Sequence, residues 1–570
     1  MDELERLGKV IETEVLIIGG GIAGLWAAVR AKEFVDDVIV VDKGPVGYTS
    51  QAYFALGGHQ ALFPEEDVDD WVKDFVYFAD GLVEQDLIEA IYKQSFDRIQ
   101  DYQRLGVDFK KEKTADGTHR GPTRGLDHIK SLRPHPYGSG GEKMIQGLVK
   151  EAKGLGVRFL NRIFITTLLK QDNAIAGAVG FDTRSGEFYI FKTKSSVIAT
   201  GECHFGGHYQ AQAFVTGDGM AMGFSAGAEL MNLEFPTLWI VPARYGWEGF
   251  ALAFPLGARL LNARGESFIE KYSPVLKSKM DYNFLARAMA IEAREGRGPF
   301  YMDFSTIKPR DRDFLMSHTG WMQLHIEKLK DAGIRPDVEK QEAMPGFWQA
   351  HGIKTDITMR TAVPGLFAAG RVRVVDPGVI MGGWSLCSAT AFGYWAGESA
   401  GRHAKSQKPL QIDAGEVAAL KKEIYTPLGS VGREPHQVLS EIQEALFKVD
   451  VLILKHETGL KSALDRIETI RDVLVPQMGA RDIHYLVRLR EVHNMTLIAE
   501  LMLRASLMRT ESRGSHYRED YPNRDDRNWL KWIVISQKEG KLSLRSEPVP
   551  FDKYKFKLTR YYMDNFTIPK

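Results

Sequence analysis

A strand, a glycine turn and a helix start occupy Thr13 to Gly24, and this stretch restricts the fold more than any other. The run Val15-Leu16-Ile17-Ile18 is apolar enough for a buried strand, and Gly19-Gly20-Gly21-Ile22-Ala23-Gly24 follows it directly. In a βαβ unit each glycine of this spacing has its own task. Gly19 lets the chain turn tightly, Gly21 lets backbone approach a pyrophosphate, and Gly24 lets the helix lie close to the sheet, so the phosphates rest on the helix N-terminus. A second strand, Asp37-Val38-Ile39-Val40-Val41, ends in Asp42, about 20 residues past the glycines, where a ribose-binding carboxylate belongs. With Ala23 in the turn and Lys43 beside the carboxylate, the spacing predicts a dinucleotide site.

At 570 residues the chain exceeds one compact core and should divide into several domains. Lys plus Arg and Asp plus Glu both number 74, so bulk charge argues for neither nucleic acid nor an anionic membrane surface as partner. The only cysteines are Cys203 and Cys387, which excludes a disulfide framework and a self-contained four-cysteine iron–sulfur cluster. Any cluster must therefore belong to another subunit. The charged start Met1-Asp2-Glu3-Leu4-Glu5-Arg6 has no apolar leader core, and no apolar run approaches the ~18 residues of a membrane span. A cytoplasmic protein with no membrane span is expected.

Further along, small-residue segments recur where backbone would have to meet a ligand. They are Gly47 to Gly58, containing Ser50-Gln51 and ending in Gly57-Gly58; the strand end Ala199-Thr200-Gly201; the turn Thr216-Gly217-Asp218; the strand end Ala368-Ala369-Gly370; and Gly382-Gly383-Trp384-Ser385-Leu386, which opens a helix. Near the C-terminus comes Glu511-Ser512-Arg513-Gly514-Ser515-His516-Tyr517-Arg518. Together these resemble the flavoprotein subunits of succinate dehydrogenase and fumarate reductase, with L-aspartate oxidase and the adenylylsulfate reductase alpha subunit in the same group. The resemblance covers nearly the whole chain. It implies an α/β fold: a Rossmann-like FAD-binding domain in two parts (1–240 and 351–405), an inserted α+β capping domain (241–350), a helical domain (411–520) and a C-terminal extension (521–570). It also implies FAD along the segments quoted, and electron exchange with a ferredoxin-like iron–sulfur subunit or a soluble carrier. Asp218 is either a helix cap, worth roughly 1 kcal/mol, or a residue beside the flavin.

In the succinate dehydrogenase branch a loop histidine bonds covalently to the flavin; Gln51 matches that place, and an amide is no nucleophile, so non-covalent FAD is expected. The helix Asn283 to Gly298 resembles the capping-domain helix whose arginine donates a proton to substrate, with Arg287 matching it and Glu292 as relay material. Three departures concern the substrate. Trp239 stands where the resembled family has a histidine, the histidine of another stretch is displaced to His351, and Ile380 replaces a clamping arginine. Losing such groups removes charged hydrogen bonds of about 1.5–3 kcal/mol each, so a simple C4-dicarboxylate is disfavoured, and Trp239 with Trp384 suggests a larger or more apolar substrate. The resulting expectation is two-electron hydride transfer between flavin N5 and a small organic substrate at an activated C=C or CH–CH bond. The alternatives are an adenylylsulfate reductase-like enzyme acting on sulfur and a non-catalytic FAD electron-transfer subunit.

Overall fold

The computed structural model describes residues 3–109, 121–132, 140–207, 214–246, 250, 253–254, 256–317, 327–336, 338–349, 352–373, 376–538 and 540–569. Its central sheet grows outward from the first strand, Lys9–Ile18, whose last four residues, Val15 to Ile18, are buried. That strand pairs in parallel with Val38–Asp42 on one side and Phe188–Ile198 on the other; Arg158–Asn161 continues the parallel order beyond Val38–Asp42, and Leu366–Ala368 pairs in parallel with Phe188–Ile198. Apolar residues on consecutive positions suit strands covered on both faces.

Two antiparallel strands, Ile163–Gln171 and Ala174–Asp182, complete this seven-stranded sheet. The sequence suggests a separate meander between Val157 and Lys192 and a later strand at Ser196. In the structure Phe188–Ile198 is one continuous strand, because extended β-branched and aromatic residues leave nothing to break it. The adenosine-side strand end is thus the last third of the meander strand.

Helix Ile22–Ala31 follows the glycine turn and is buried along most of its length. Helix Trp384–Ser406 crosses it through a row of glycines. A methyl group added at Gly393 or Gly397 would stand 2.4 Å from the Ala23 carbonyl oxygen or 2.3 Å from that of Ala27. The two backbones therefore touch directly. This helix runs on through Ser406, one residue past the 405 boundary expected for the second part of the FAD-binding domain.

A second, four-stranded antiparallel sheet is built from Thr237–Pro242, Gln341–Gln349, Phe300–Asp303 and Arg259–Leu261. Helix Tyr282–Arg294 packs on it. Asp281 caps that helix by accepting from the amides of Asn283 and Phe284 at 2.6 and 3.2 Å, and Asn283 ties it to the sheet by accepting from the Leu238 amide at 2.9 Å. The helical region follows, with helix Ile483–Met508 longest. Beyond it, Arg509 and Arg513 share the buried Glu511 carboxylate, each at 2.8 Å, and Arg509 also reaches Glu234. Here the distinctive C-terminal run is a fully buried charge network that fastens helix and extension to the rest, and it stands apart from the cavity described next. No described helix is long and apolar enough to cross a membrane.

Candidate functional site

A cavity of about 1020 Å³ lies along the C-terminal ends of the parallel strands and continues beneath the second sheet. Every residue that the sequence assigns to the cofactor lines it except Gly24. Gly24 acts one layer behind: a methyl there would stand 1.9 Å from the Gly19 carbonyl oxygen. Gly19 itself has φ +111°, and a methyl on it would meet the Ala199 carbonyl at 2.4 Å. At Gly21 the only neighbours of an added methyl are Ser50 side-chain atoms, the nearer at 3.4 Å. That face of the turn is open to the cavity beside the N-terminus of helix Ile22–Ala31, the shape and polarity a pyrophosphate requires.

Asp42 accepts from the Gly20 amide at 2.7 Å and from the Gly44 amide at 2.8 Å. Burial raises its pKa, and the two amides oppose that shift. Its carboxylate thereby braces the glycine turn against the next loop while still lining the cavity. Lys43 donates to Asp218 at 2.8 Å and to Glu491 at 2.7 Å, and Asn494 also donates to Asp218. Gly217, in a left-handed conformation, occupies the cap position of the following helix, so Asp218 is not the cap; it is a charge partner on the cavity wall. Glu491 was not legible as a site residue. The helix Ile483–Met508 reads as core, yet its His484, Val487, Arg488 and Glu491 face closes this end of the cavity.

At the middle of the cavity the Gly57–Gly58 loop meets the start of helix Trp384–Ser406: Gln60 donates from its backbone amide to the Gly383 carbonyl at 3.2 Å and from its side chain to Gly382 at 3.1 Å. Ser50 caps a short helix by accepting from the Tyr53 amide at 3.2 Å. Gln51 lies 3.1 Å from His204 Nε2, which lies 3.1 Å from Glu202. Glu202 in turn accepts from Arg371. Burial pushes the His204 pKa down, so the ring stays neutral over this buried carboxylate.

The far end differs from the expectation. Trp239 and Ile380 line the cavity, and Trp239 packs on Tyr282 with ring centroids 3.8 Å apart. Trp384 does not: it is buried against Phe75 and donates to Asp376 at 3.1 Å. Arg287 and Glu292 are corrections as well. Tyr282 and Arg287 are five positions apart, about 140° around the helix, so when Tyr282 faces the cavity Arg287 faces away. Its guanidinium is enclosed by the rings of Phe284, Tyr517 and Phe566, and it donates to the Gly514 carbonyl at 3.2 Å. Burial pushes its pKa down to about 10, but it borders a separate 260 Å³ hollow beside the C-terminal extension. Glu292 is buried within the inserted region. Burial pushes its pKa up, but hydrogen bonds from Arg297, Lys271, Tyr272 and Asn262 outweigh that and hold it at about 2. None of these four partners lines the cavity. His351 lies outside the described residues. The sequence pattern gave no sign of Arg124 or Tyr282, which both line the cavity. Arg124 sits in a Gly-, Pro- and His-rich stretch without periodicity, and only helical phase would have found Tyr282.

Among the described residues no group of three or more His, Cys, Asp or Glu side chains could hold a metal ion. The FAD binding domain family matches residues 14–389, and the fumarate reductase flavoprotein C-terminal family matches residues 440–562. The chain belongs to the fumarate reductase and succinate dehydrogenase flavoprotein family. Members similar to it include a fumarate reductase (CoM/CoB) polypeptide of Methanothermobacter marburgensis, 29% identical over 93% of this chain and 98% of that one. The succinate dehydrogenase flavoprotein subunit of Rickettsia conorii is 27% identical over 94% and 95%. Among solved structures, an E. coli quinol fumarate reductase flavoprotein superposes with TM-score 0.84 at 21% identity, covering 95% of this chain and 97% of that one. Adenylylsulfate reductase of Archaeoglobus fulgidus gives 0.77 at 23%, covering 95% and 96%. This flavoprotein is an FAD-dependent oxidoreductase, and the glycine turn, the open Gly21 face and the cavity volume fit FAD.

Proposed function

We propose that this flavoprotein binds FAD without a covalent bond and exchanges two electrons with a small unsaturated organic acid at the Trp239–Tyr282 end of its cavity. The observation that carries this reading is the continuity of the cavity, from the glycine turn at one end to an aromatic pair under the inserted four-stranded sheet at the other. FAD, when bound, supplies hydride-transfer chemistry at its flavin ring. The chain's own residues do the rest. Gly21 and the following helix N-terminus receive the pyrophosphate, Asp42 is placed for the ribose, and the N-terminus of helix Trp384–Ser406, at Ser385 and Leu386, favours negative charge at the flavin's pyrimidine side.

Trp239 gives a flat substrate a stacking face, and the sheet that carries it covers the reacting atoms from water. With Arg287 turned away, the Tyr282 hydroxyl is the group on the capping helix placed to hold a proton at the substrate. Electrons exchange with a separate iron–sulfur subunit or a soluble carrier, since the two separate buried cysteines of this chain cannot build a cluster. The protein acts in the cytoplasm. Fumarate, the molecule named for several relatives, is one candidate; Trp239 and Ile380 favour a substrate with an apolar body.

The test is anaerobic. The flavin is photoreduced in the purified protein, and fumarate, alkyl and aryl enoates and adenylylsulfate are added singly while the flavin absorbance is followed. Reoxidation by an enoate, slowed in Trp239→Ala and Tyr282→Phe, supports the reading. Reoxidation by adenylylsulfate alone replaces it with sulfur chemistry. Indifference to the whole panel, with fast electron exchange to an iron–sulfur protein, replaces it with a pure electron-transfer role.

A further inference from the structure

We infer that Arg124 is the anion anchor of the substrate end, holding the carboxylate of a flat unsaturated acid whose body lies on the Trp239–Tyr282 pair. This rests on the reading of the cavity as a flavin substrate site, and it adds where that site keeps its positive charge. Arg124 lines the cavity from the loop Thr123–Asp127, on the flavin side, and reaches across to the inserted region. Its guanidinium carbon lies 5.2 Å from the Phe254 ring centroid and 5.1 Å from that of Tyr282. Nη2 donates to the Ser278 carbonyl. Nε and Nη1 are buried and have no acceptor among the described residues.

Charged donors that are buried and unmet are unfavourable until an anion takes them. Three of the other cations on the cavity wall are already committed. Lys43 is held by Asp218 and Glu491, Arg371 by Glu202 and Asp376, and Arg488 by Glu491. Lys279 stands exposed at the rim. Asp281 lines the same cavity and is attracted by Arg124, and its Oδ1 accepts from the helix amides of Asn283 and Phe284. Asp127, at the other side of the loop, is exposed and faces Arg560 at 3.7 Å. Beside the guanidinium stand the rings of Phe254 and Tyr282, and Trp239 and Ile380 line the same cavity together with Thr123, Ser278 and Asp281. One cation set beside such rings suits a single carboxylate on a flat, apolar body better than a molecule charged at both ends. Because Arg124 also bridges the flavin side to Ser278 and Tyr282, a bound carboxylate would join the two halves of the cavity.

The probe is trans-cinnamate, titrated into the oxidised, flavin-loaded protein and read by flavin difference absorbance, with neutral cinnamamide as control. The dissociation constant for cinnamate should rise about 10- to 100-fold in Arg124→Gln, the cost of one charged hydrogen bond. Arg124→Lys, which keeps a point charge without the fork, should recover part of it, and cinnamamide should bind all three proteins alike. Equal cinnamate affinity in wild type and Arg124→Gln at equal flavin content overturns the anchor, as does a wild-type flavin that no carboxylate perturbs. Cinnamate binding that depends on Arg124, with no flavin turnover by any acid, would instead remove the enzyme reading and leave the anchor standing.

Discussion

Two single-methyl substitutions three residues apart should separate folding from cofactor binding. At Gly24 an added methyl meets the Gly19 carbonyl oxygen at 1.9 Å, the Gly19 carbonyl carbon at 3.1 Å and Ile17 Cγ2 at 3.3 Å. The obstacle is mostly backbone and cannot rotate away. Overpacking of this kind costs about 1–3 kcal/mol, and alanine returns up to about 1 kcal/mol over glycine inside a helix. Gly24→Ala should therefore destabilise both apoprotein and holoprotein by about 2 kcal/mol. At Gly21 the same methyl meets nothing closer than Ser50 Cβ at 3.4 Å, and φ is −77°, a value alanine adopts freely. The apoprotein should unfold like wild type. The methyl projects where backbone must approach the pyrophosphate, and losing one charged hydrogen bond there costs about 1.5–3 kcal/mol, so FAD affinity should fall about 10- to 100-fold. The assay pairs thermal unfolding of flavin-stripped protein with a fluorescence-quench titration of FAD. A Gly21→Ala protein that binds FAD as wild type does would show that the open face of the turn is not the pyrophosphate seat.

Three further outcomes follow from the same geometry. Arg287→Ala should lower the unfolding midpoint, a loss of about 2–4 kcal/mol from an emptied aromatic enclosure, while flavin reoxidation by an active enoate keeps its rate; a large fall in rate at unchanged stability would restore Arg287 as the acid. Acid precipitation should release all flavin into the supernatant, because Gln51 stands where a nucleophile would be needed, and colour in the pellet would contradict this. Burial lowers the Lys455 pKa from 10.5 to about 7, against the attraction of Glu234. Between those values the folded protein binds fewer protons than the unfolded chain, so stability should increase as pH rises through that window, at up to about 1.4 kcal/mol per pH unit. Urea midpoints at pH 7, 8 and 9 should show this rise, and Lys455→Met should flatten it.

The cofactor end was legible because its residues act through contiguous backbone. A turn such as Gly19 to Gly24 carries its geometry in its own spacing, and Asp42 follows from strand length alone. The same holds for Gly57, whose φ of +86° favours glycine, and for Gly383, where an added methyl would stand 2.9 Å from the Gln60 amide nitrogen. The substrate end was not legible in this way. Arg287 and Tyr282 share a helix, and resemblance along the chain favoured the arginine; which of them faces the flavin depends on the rotation of that helix, which Asn283 sets through its bond to Leu238. Glu491 looked like one polar position on a buried helix, and only its meeting with Lys43 gives it a place in the site. Arg124 had no pattern to mark it, since its partners Phe254, Ser278 and Tyr282 lie more than a hundred residues away in sequence.

The glycine row in helix Trp384–Ser406 has a mechanical meaning. Because Gly393 and Gly397 rest on the carbonyls of Ala23 and Ala27, no side-chain rotamer intervenes between the helix that receives the pyrophosphate and the helix that opens at the flavin ring. The separation of their two N-termini is fixed by main chain against main chain, like the fixed jaws of a gauge. A cofactor seated at the first jaw is thereby delivered to the second at constant length, whatever the inserted sheet above it does.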